Sequence, residues 1–128
     1  MRVTYVYNFL GIVQQEYSSD VLTPGDYTFL VEFDWKNTGP NKESVGDLRL
    51  SVNGTVVKTG SEMKAQTGKF TLCGDGLCVG YDSADAVSRN YTGSFPFTKG
   101  TIDRVTVTPI GTPVVDHERL LAGAFSAD

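Results

Sequence analysis

The sequence is poor in the residues from which most catalytic and metal-binding centres are built. Its 128 residues include one histidine, His117, and two cysteines, Cys73 and Cys78. A single imidazole provides no Ser-His-Asp or Cys-His arrangement within one chain. Zinc sites use about four ligands, and His117 is distant in sequence from both thiols. We therefore expect neither a nucleophilic triad nor a zinc site.

Basic residues and long apolar runs are also scarce. Lys and Arg number 11 against 15 Asp and Glu, which gives a net charge of -4. Nucleic-acid binding depends on cations that neutralise phosphates, so we expect no DNA or RNA partner. The chain has no run of about 18 apolar residues that could span a membrane. After Arg2 the sequence alternates between polar and apolar residues, which predicts no signal peptide.

What the chain does contain is typical of an all-β protein in one domain. Hydrophobic residues make up 40%, and there are 14 Gly, 7 Phe and 6 Tyr. The clearest strand is Asp26–Trp35, because apolar and polar residues alternate along it. One of its faces carries Tyr27, Phe29, Val31, Phe33 and Trp35. We interpret that face as sandwich core, the alternative being a sugar-stacking platform with Trp35 at its end.

Other segments predict antiparallel pairing. Val3–Phe9 ends at Gly11 and returns as Ile12–Tyr17. Asn53-Gly54, which tolerates the positive φ of a type I′ turn, joins Gly46–Val52 to Thr55–Val57 in a hairpin. Phe95, Pro96 and Phe97 lead into Gly100–Val107, where alternation predicts a half-buried strand.

The predicted architecture is an antiparallel β-sandwich over residues 1–112. A tail follows over residues 113–128. We expect a short helix in this tail, with Asp116 as its N-cap.

The central stretch also carries a resemblance to a known family. It reads Val79-Gly80-Tyr81-Asp82, then a loop ending in Tyr91, then Ser94-Phe95-Pro96-Phe97 and Gly100 to Val107. Two earlier segments, Tyr5 to Gly11 and Leu50 to Gly54, fit the same pattern. Together they resemble the C-terminal domain of bacterial arylsulfatases over nearly the whole chain.

This resemblance implies a fold and an origin. The fold implied is a partial jelly-roll of the concanavalin A or laminin-G kind. Family members carry a large catalytic α/β domain and further sandwich strands upstream, so the chain would be a truncated accessory domain. The family's nucleophile lies in Cys/Ser-x-Pro-x-Arg, and the nearest match here, Ser94 to Thr98, lacks the Arg. The resemblance therefore implies a non-enzymatic module, periplasmic or secreted if its location is like the family's.

Three groups of residues are candidate sites. Exposed aromatics and a loop carboxylate would bind a glycan: Trp35, Tyr81, Asp82 and Tyr91. Turn carboxylates would bind calcium, as laminin-G-like sandwiches do, or would close Asx-turns instead: Asp75, Asp82 and Asp85. Cys73 and Cys78 flank a turn, and their spacing leaves open whether they form a disulfide or remain thiols. Apart from calcium, we expect no cofactor.

A truncated sandwich would leave apolar faces in water. Each uncovered large apolar side chain forfeits about 1.5–3 kcal/mol, against a net stability of about 5–15 kcal/mol. We therefore expect a homo-oligomer, most simply a two-fold dimer that buries Tyr5, Tyr7 and Phe9. Self-association is the first functional hypothesis. The alternatives are a carbohydrate-binding module and a sulfatase fragment that is inactive alone.

Overall fold

The described part of the chain consists of antiparallel strands. A computed structural model describes residues 1–66, 78–82, 86–93 and 95–109. The chain divides into two compact units, Met1–Thr67 and Gly68–Asp128. Within the described ranges every regular element is a β-strand and every pairing is antiparallel, which confirms the all-β prediction. The helix predicted in the tail lies outside these ranges.

The first unit begins with a hairpin. Strand β1 (Thr4–Phe9) pairs with β2 (Val13–Ser18), close to the predicted bounds. Leu10 and Gly11 adopt positive φ values of 52° and 74°, and the Ile12 N–H donates to the Phe9 carbonyl at 2.9 Å. Two consecutive positive φ values match the right-handed twist of the strands that the turn joins.

A three-stranded sheet follows, with β4 at its centre. Its members are β3 (Phe29–Thr38), β4 (Ser44–Val52) and β5 (Thr55–Ala65), in the order β3-β4-β5. Asn53 and Gly54 turn with φ values of 49° and 82°, so the predicted hairpin is confirmed. The Asn53 side-chain oxygen also accepts the Thr28 N–H at 2.8 Å, which fastens the turn to the start of β3.

The buried apolar residues of this sheet lie on one face. Leu48, Leu50, Val52 and Met63 are nearly inaccessible to water, and each contributes about 1.5–3 kcal/mol by burial. Gly46 belongs to the same face, where a Cβ would lie 2.8 Å from Phe33 Cζ and collide with the backbone of its paired strand. Glycine is therefore required here by close packing.

Charged residues occupy the opposite face. Arg49 Nη2 lies 3.0 Å from Glu32 Oε2, and Lys36 Nζ lies 2.6 Å from Asp47 Oδ2. Both pairs are exposed to water, where Coulomb attraction is weak. They align neighbouring strands more than they stabilise the sheet.

Bulges interrupt the register of this sheet at three places. One extra residue of β3 lies between Trp35 and Asn37. Strand β5 carries extra residues opposite Leu50/Ser51 and opposite Gly46/Leu48. Glu62, in the second β5 bulge, has a positive φ of 55°. Strand β5 continues through these bulges to Ala65, well beyond the predicted Thr55–Val57. The bulges interrupt the apolar alternation on which the prediction depended.

The hairpin packs against β5. The Tyr17 ring lies directly over Gly60, where any Cβ would collide with it. Tyr5 and Tyr17 have ring centroids 6.4 Å apart. Burial, and then the neighbouring hydroxyls of Tyr7 and Tyr17, raise the pKa of Tyr5. The tyrosines therefore cover this part of the sheet in their neutral form.

In the second unit, the described pairing is short. Strand β6 (Tyr81–Asp82) pairs with β7 (Phe95–Pro96). The half-buried strand predicted over Gly100–Val107 is wrong, because residues 101–109 form no strand and their side chains are exposed. Ile102 and Val105 are separated by an odd number of positions, so a strand would have placed them on opposite faces.

Candidate functional site

A row of large apolar side chains is exposed on β3. Phe29, Val31, Phe33 and Trp35, here called the apolar stripe, are 43%, 37%, 40% and 46% accessible. The prediction of a covered core is therefore wrong for these four side chains, although their partners on β4, Leu48, Leu50 and Val52, are buried on the same face. Alternation correctly identified which residues share a face, but the covering of that face depends on other elements.

The same strand has an unpaired edge within the described ranges. On one side β3 pairs with β4 in unbroken register from Phe29 to Trp35. On its other side no described strand or hydrogen bond occupies the backbone groups of that stretch. Unpaired N–H and C=O groups beside an apolar stripe form a surface to which another strand can add.

Asp47 forms a second candidate site on the charged face. It lies between the bulges of β3 and β5, where Lys36 and the Glu62 backbone N–H both bond its carboxylate. The hydrogen bond from Lys36 holds the pKa of Asp47 below its usual value and raises the pKa of Lys36. Two shallow depressions of about 220 and 320 Å³ adjoin this carboxylate. Both are partly open to solvent and are lined by polar as well as apolar surface.

Asp82 and Tyr91 meet in the second unit. The Tyr91 hydroxyl donates a hydrogen bond to the Asp82 carboxylate and accepts the Val87 N–H at 3.2 Å. Its ring lies 5.2 Å from that of Phe95, which is paired with Asp82 across the strands. Burial and then the carboxylate raise the pKa of Tyr91. Two predicted glycan residues are thus in contact, beside an exposed aromatic ring.

The other two predicted glycan residues belong to different units. Tyr81 is 57% exposed on β6, and a hydrogen bond with Cys78 raises the pKa of its hydroxyl. Trp35 is at the end of the apolar stripe in the first unit. Cys73, the second cysteine of the possible disulfide, lies outside the described ranges.

The predicted oligomer interface is partly occupied within its own unit. Tyr5, Tyr7 and Phe9 are half-buried. The Tyr7 hydroxyl accepts the Gln66 N–H at 2.8 Å, while Tyr5 packs near Tyr17. Tyr7, and Tyr17 beside Tyr5, already join the hairpin to β5 and the residue that follows it.

The calcium prediction is only partly covered by the structure. Asp75 and Asp85 lie outside the described ranges, and Asp82 bonds the Tyr91 hydroxyl. Over residues 1–66, 78–82, 86–93 and 95–109, no three acidic, histidine or cysteine side chains gather as metal ligands would. The same ranges contain no helix with the length and apolarity needed to cross a membrane.

Comparison with known proteins identifies no family for this chain. No protein-family model, curated protein or solved structure matches this chain. The arylsulfatase resemblance therefore stays a hypothesis. Sequence reasoning missed Asp47 and Gln15, whose roles depend on strand bulges and on a distant backbone group. No local sequence signal identifies either residue.

Proposed function

We propose that the protein is a non-catalytic self-association module that forms a two-fold dimer through β3. The observation that carries this proposal is the exposed apolar stripe beside an edge that no described strand pairs with. Antiparallel addition of a second β3 would hydrogen-bond that edge and place the stripes of the two copies side by side, which removes part of each stripe from water. The hairpin residues predicted to form the interface would instead keep their internal contacts.

Charge favours one register for this pairing. If Asp34 lies on the two-fold axis, Phe33 of each copy is opposite Trp35 of the other. Glu32 then comes near Lys36, the bulged residue of β3, and the two would add to their existing pairs with Arg49 and Asp47. Opposite charges and aromatic pairs directly across strands each contribute roughly 0.2–1 kcal/mol. If Phe33 were on the two-fold axis, Glu32 of each copy would be opposite Asp34 of the other, which gives two repulsive pairs. With Asp34 on the axis, the two Asp34 carboxylates form the one repulsive pair.

The finer architecture belongs to the same proposal. We infer a β-sandwich of the jelly-roll or laminin-G-like kind, supported by antiparallel strands whose buried apolar residues lie on one face. In this proposal the dimer contact covers apolar surface that would otherwise face water. The accessory-domain origin remains part of the hypothesis.

The experiment uses Trp35, the only tryptophan in the chain, as a probe. We expect light scattering to give a dimer at micromolar concentration, and Trp35 emission to shift red on dilution as the ring becomes wet. Val31→Lys adds a charge to the stripe and should weaken the dimer at least about tenfold, or about 1.4 kcal/mol.

Val56→Lys is the matched control. Val56 is 48% exposed on β5 and belongs to the charged face, because it pairs with Ser51. The control variant should remain dimeric with wild-type strand content by circular dichroism. A wild-type monomer at micromolar concentration would overturn the proposal, as would equal effects of the two substitutions.

Carbohydrate binding is the second candidate, favoured by the contact of Asp82 with Tyr91 beside Phe95. Phe95 provides an exposed ring on the same face of the strand pair as Asp82, and the carboxylate can accept sugar hydroxyls. A glycan array run with and without calcium tests this candidate. Binding that Asp82→Asn and Phe95→Ala both reduce would support it, and no binding under either condition would exclude it at array concentrations.

The third hypothesis, a sulfatase fragment, is tested directly by assaying arylsulfate hydrolysis. We expect the purified chain to show none. Turnover would contradict the non-catalytic part of the proposal.

A further inference from the structure

The two edges of the three-stranded sheet, β3 and β5, differ in whether side chains bond their outer backbone groups. At the β5 edge, the Gln15 side-chain amide donates to the Lys64 carbonyl at 2.7 Å and accepts the Lys64 N–H at 2.8 Å. A primary amide carries the same donor and acceptor as a peptide group. Gln15 therefore occupies the position that a peptide of an added strand would take.

Neighbouring contacts support this blockage at the second half of β5. The Tyr7 hydroxyl bonds the Gln66 N–H just beyond the strand, and the Tyr17 ring covers the sheet face at Gly60. Two bulges also break the register of β5. Side-chain coverage and bulges are recognised means by which proteins protect sheet edges. No equivalent contact lies on the outer edge of β3 between Phe29 and Trp35 among the described residues.

We propose that Gln15 limits the protein to a closed dimer by blocking addition of a further copy at the β5 edge. This inference rests on the proposed self-association through β3. A sheet with one open edge pairs once and is then closed. A sheet with two open edges can add copies at both ends, which produces open filaments rather than a closed pair.

The test is Gln15→Thr in the full chain. Threonine favours strands but is too short to bond both groups of Lys64. Gln14→Thr is the matched control, because Gln14 is also half-buried on β2 but donates to Glu16 of its own strand. We expect light scattering to show species larger than a dimer, growing with concentration, for Gln15→Thr only. Electron microscopy should show filaments in that sample.

The outcomes separate this inference from the proposed function. A dimeric wild type with a folded, dimeric Gln15→Thr variant would overturn the role of Gln15 and leave the β3 dimer standing. A monomeric wild type would overturn the β3 dimer, and a dimeric Gln15→Thr variant would then still support the blocked edge.

A second variant is needed in case Gln15→Thr does not fold. If Gln15→Thr loses strand content by circular dichroism, Gln15→Glu serves in its place. It keeps an acceptor for the Lys64 N–H and adds an edge charge, so it should stay dimeric. Filaments of Gln15→Glu would contradict the proposal.

Discussion

At the scale of single residues, Gly60 is the point where the hairpin rests on the sheet. Its missing side chain leaves the space that the Tyr17 ring fills. Gly60→Ala should lower the free energy of unfolding by about 1–3 kcal/mol, because the ring must move from its position. Urea unfolding followed by circular dichroism measures this loss.

A double-mutant cycle identifies its cause. In a Tyr17→Ala background the clash is absent, so Gly60→Ala should then cost much less than in the wild type. An equal cost in both backgrounds would mean that the ring is not responsible.

Asp47 provides a residue-scale prediction about pH. The hydrogen bond from Lys36 lowers its pKa below the usual 3.8. A depressed carboxyl pKa contributes stability above pH 3.8 that is lost as the pH falls through the lower folded value. An NMR titration of the Asp47 carboxyl should therefore have its midpoint below 3.8.

Lysine variants provide the control. Lys36→Met should move the Asp47 midpoint up towards the usual value, whereas Lys58→Met should leave it in place because Lys58 does not perturb this carboxyl. A midpoint that Lys36→Met does not change would contradict the ion pair.

At the scale of elements, the Asn53-Gly54 hairpin depends on backbone conformation more than on contacts. Gly54 has a φ of 82° and no atom within 4 Å of a built Cβ. Gly54→Ala should therefore cost about 1–3 kcal/mol through strain alone. Urea unfolding tests this against Gly25→Ala, a site without positive φ where a Cβ makes ordinary contacts with Tyr27.

The elements that sequence predicts well are those set by local rules. Asn53-Gly54 and the turn at Gly11 specify their hairpins through residues that tolerate positive φ. The length of β5 was not predictable, because its bulges at Val57 and Glu62 shift the alternation on which strand prediction depends. Exposure of the stripe was not predictable either, since a strand pattern does not reveal which element covers it. The Asp82 contact with Tyr91 depends on loop closure, which spacing alone does not determine.

At the scale of the whole molecule, the proposed dimerisation would link stability to concentration. If only the folded chain pairs, mass action stabilises it as concentration rises. The Tm of the wild type should therefore increase across a dilution series followed by circular dichroism. The Tm of Val31→Lys should be nearly constant over the same range, and a constant wild-type Tm would contradict a folded dimer.

The hydrogen bond from Thr28 to Asn53 also affects how fast the protein is chemically modified. An Asn-Gly pair ages by attack of the following amide nitrogen on the asparagine side chain, which forms a succinimide. The Thr28 N–H fixes that side-chain oxygen at 2.8 Å, so the reaction must wait for the turn to open. The rate at which aspartate and isoaspartate form at position 53 would then measure how often the hairpin opens.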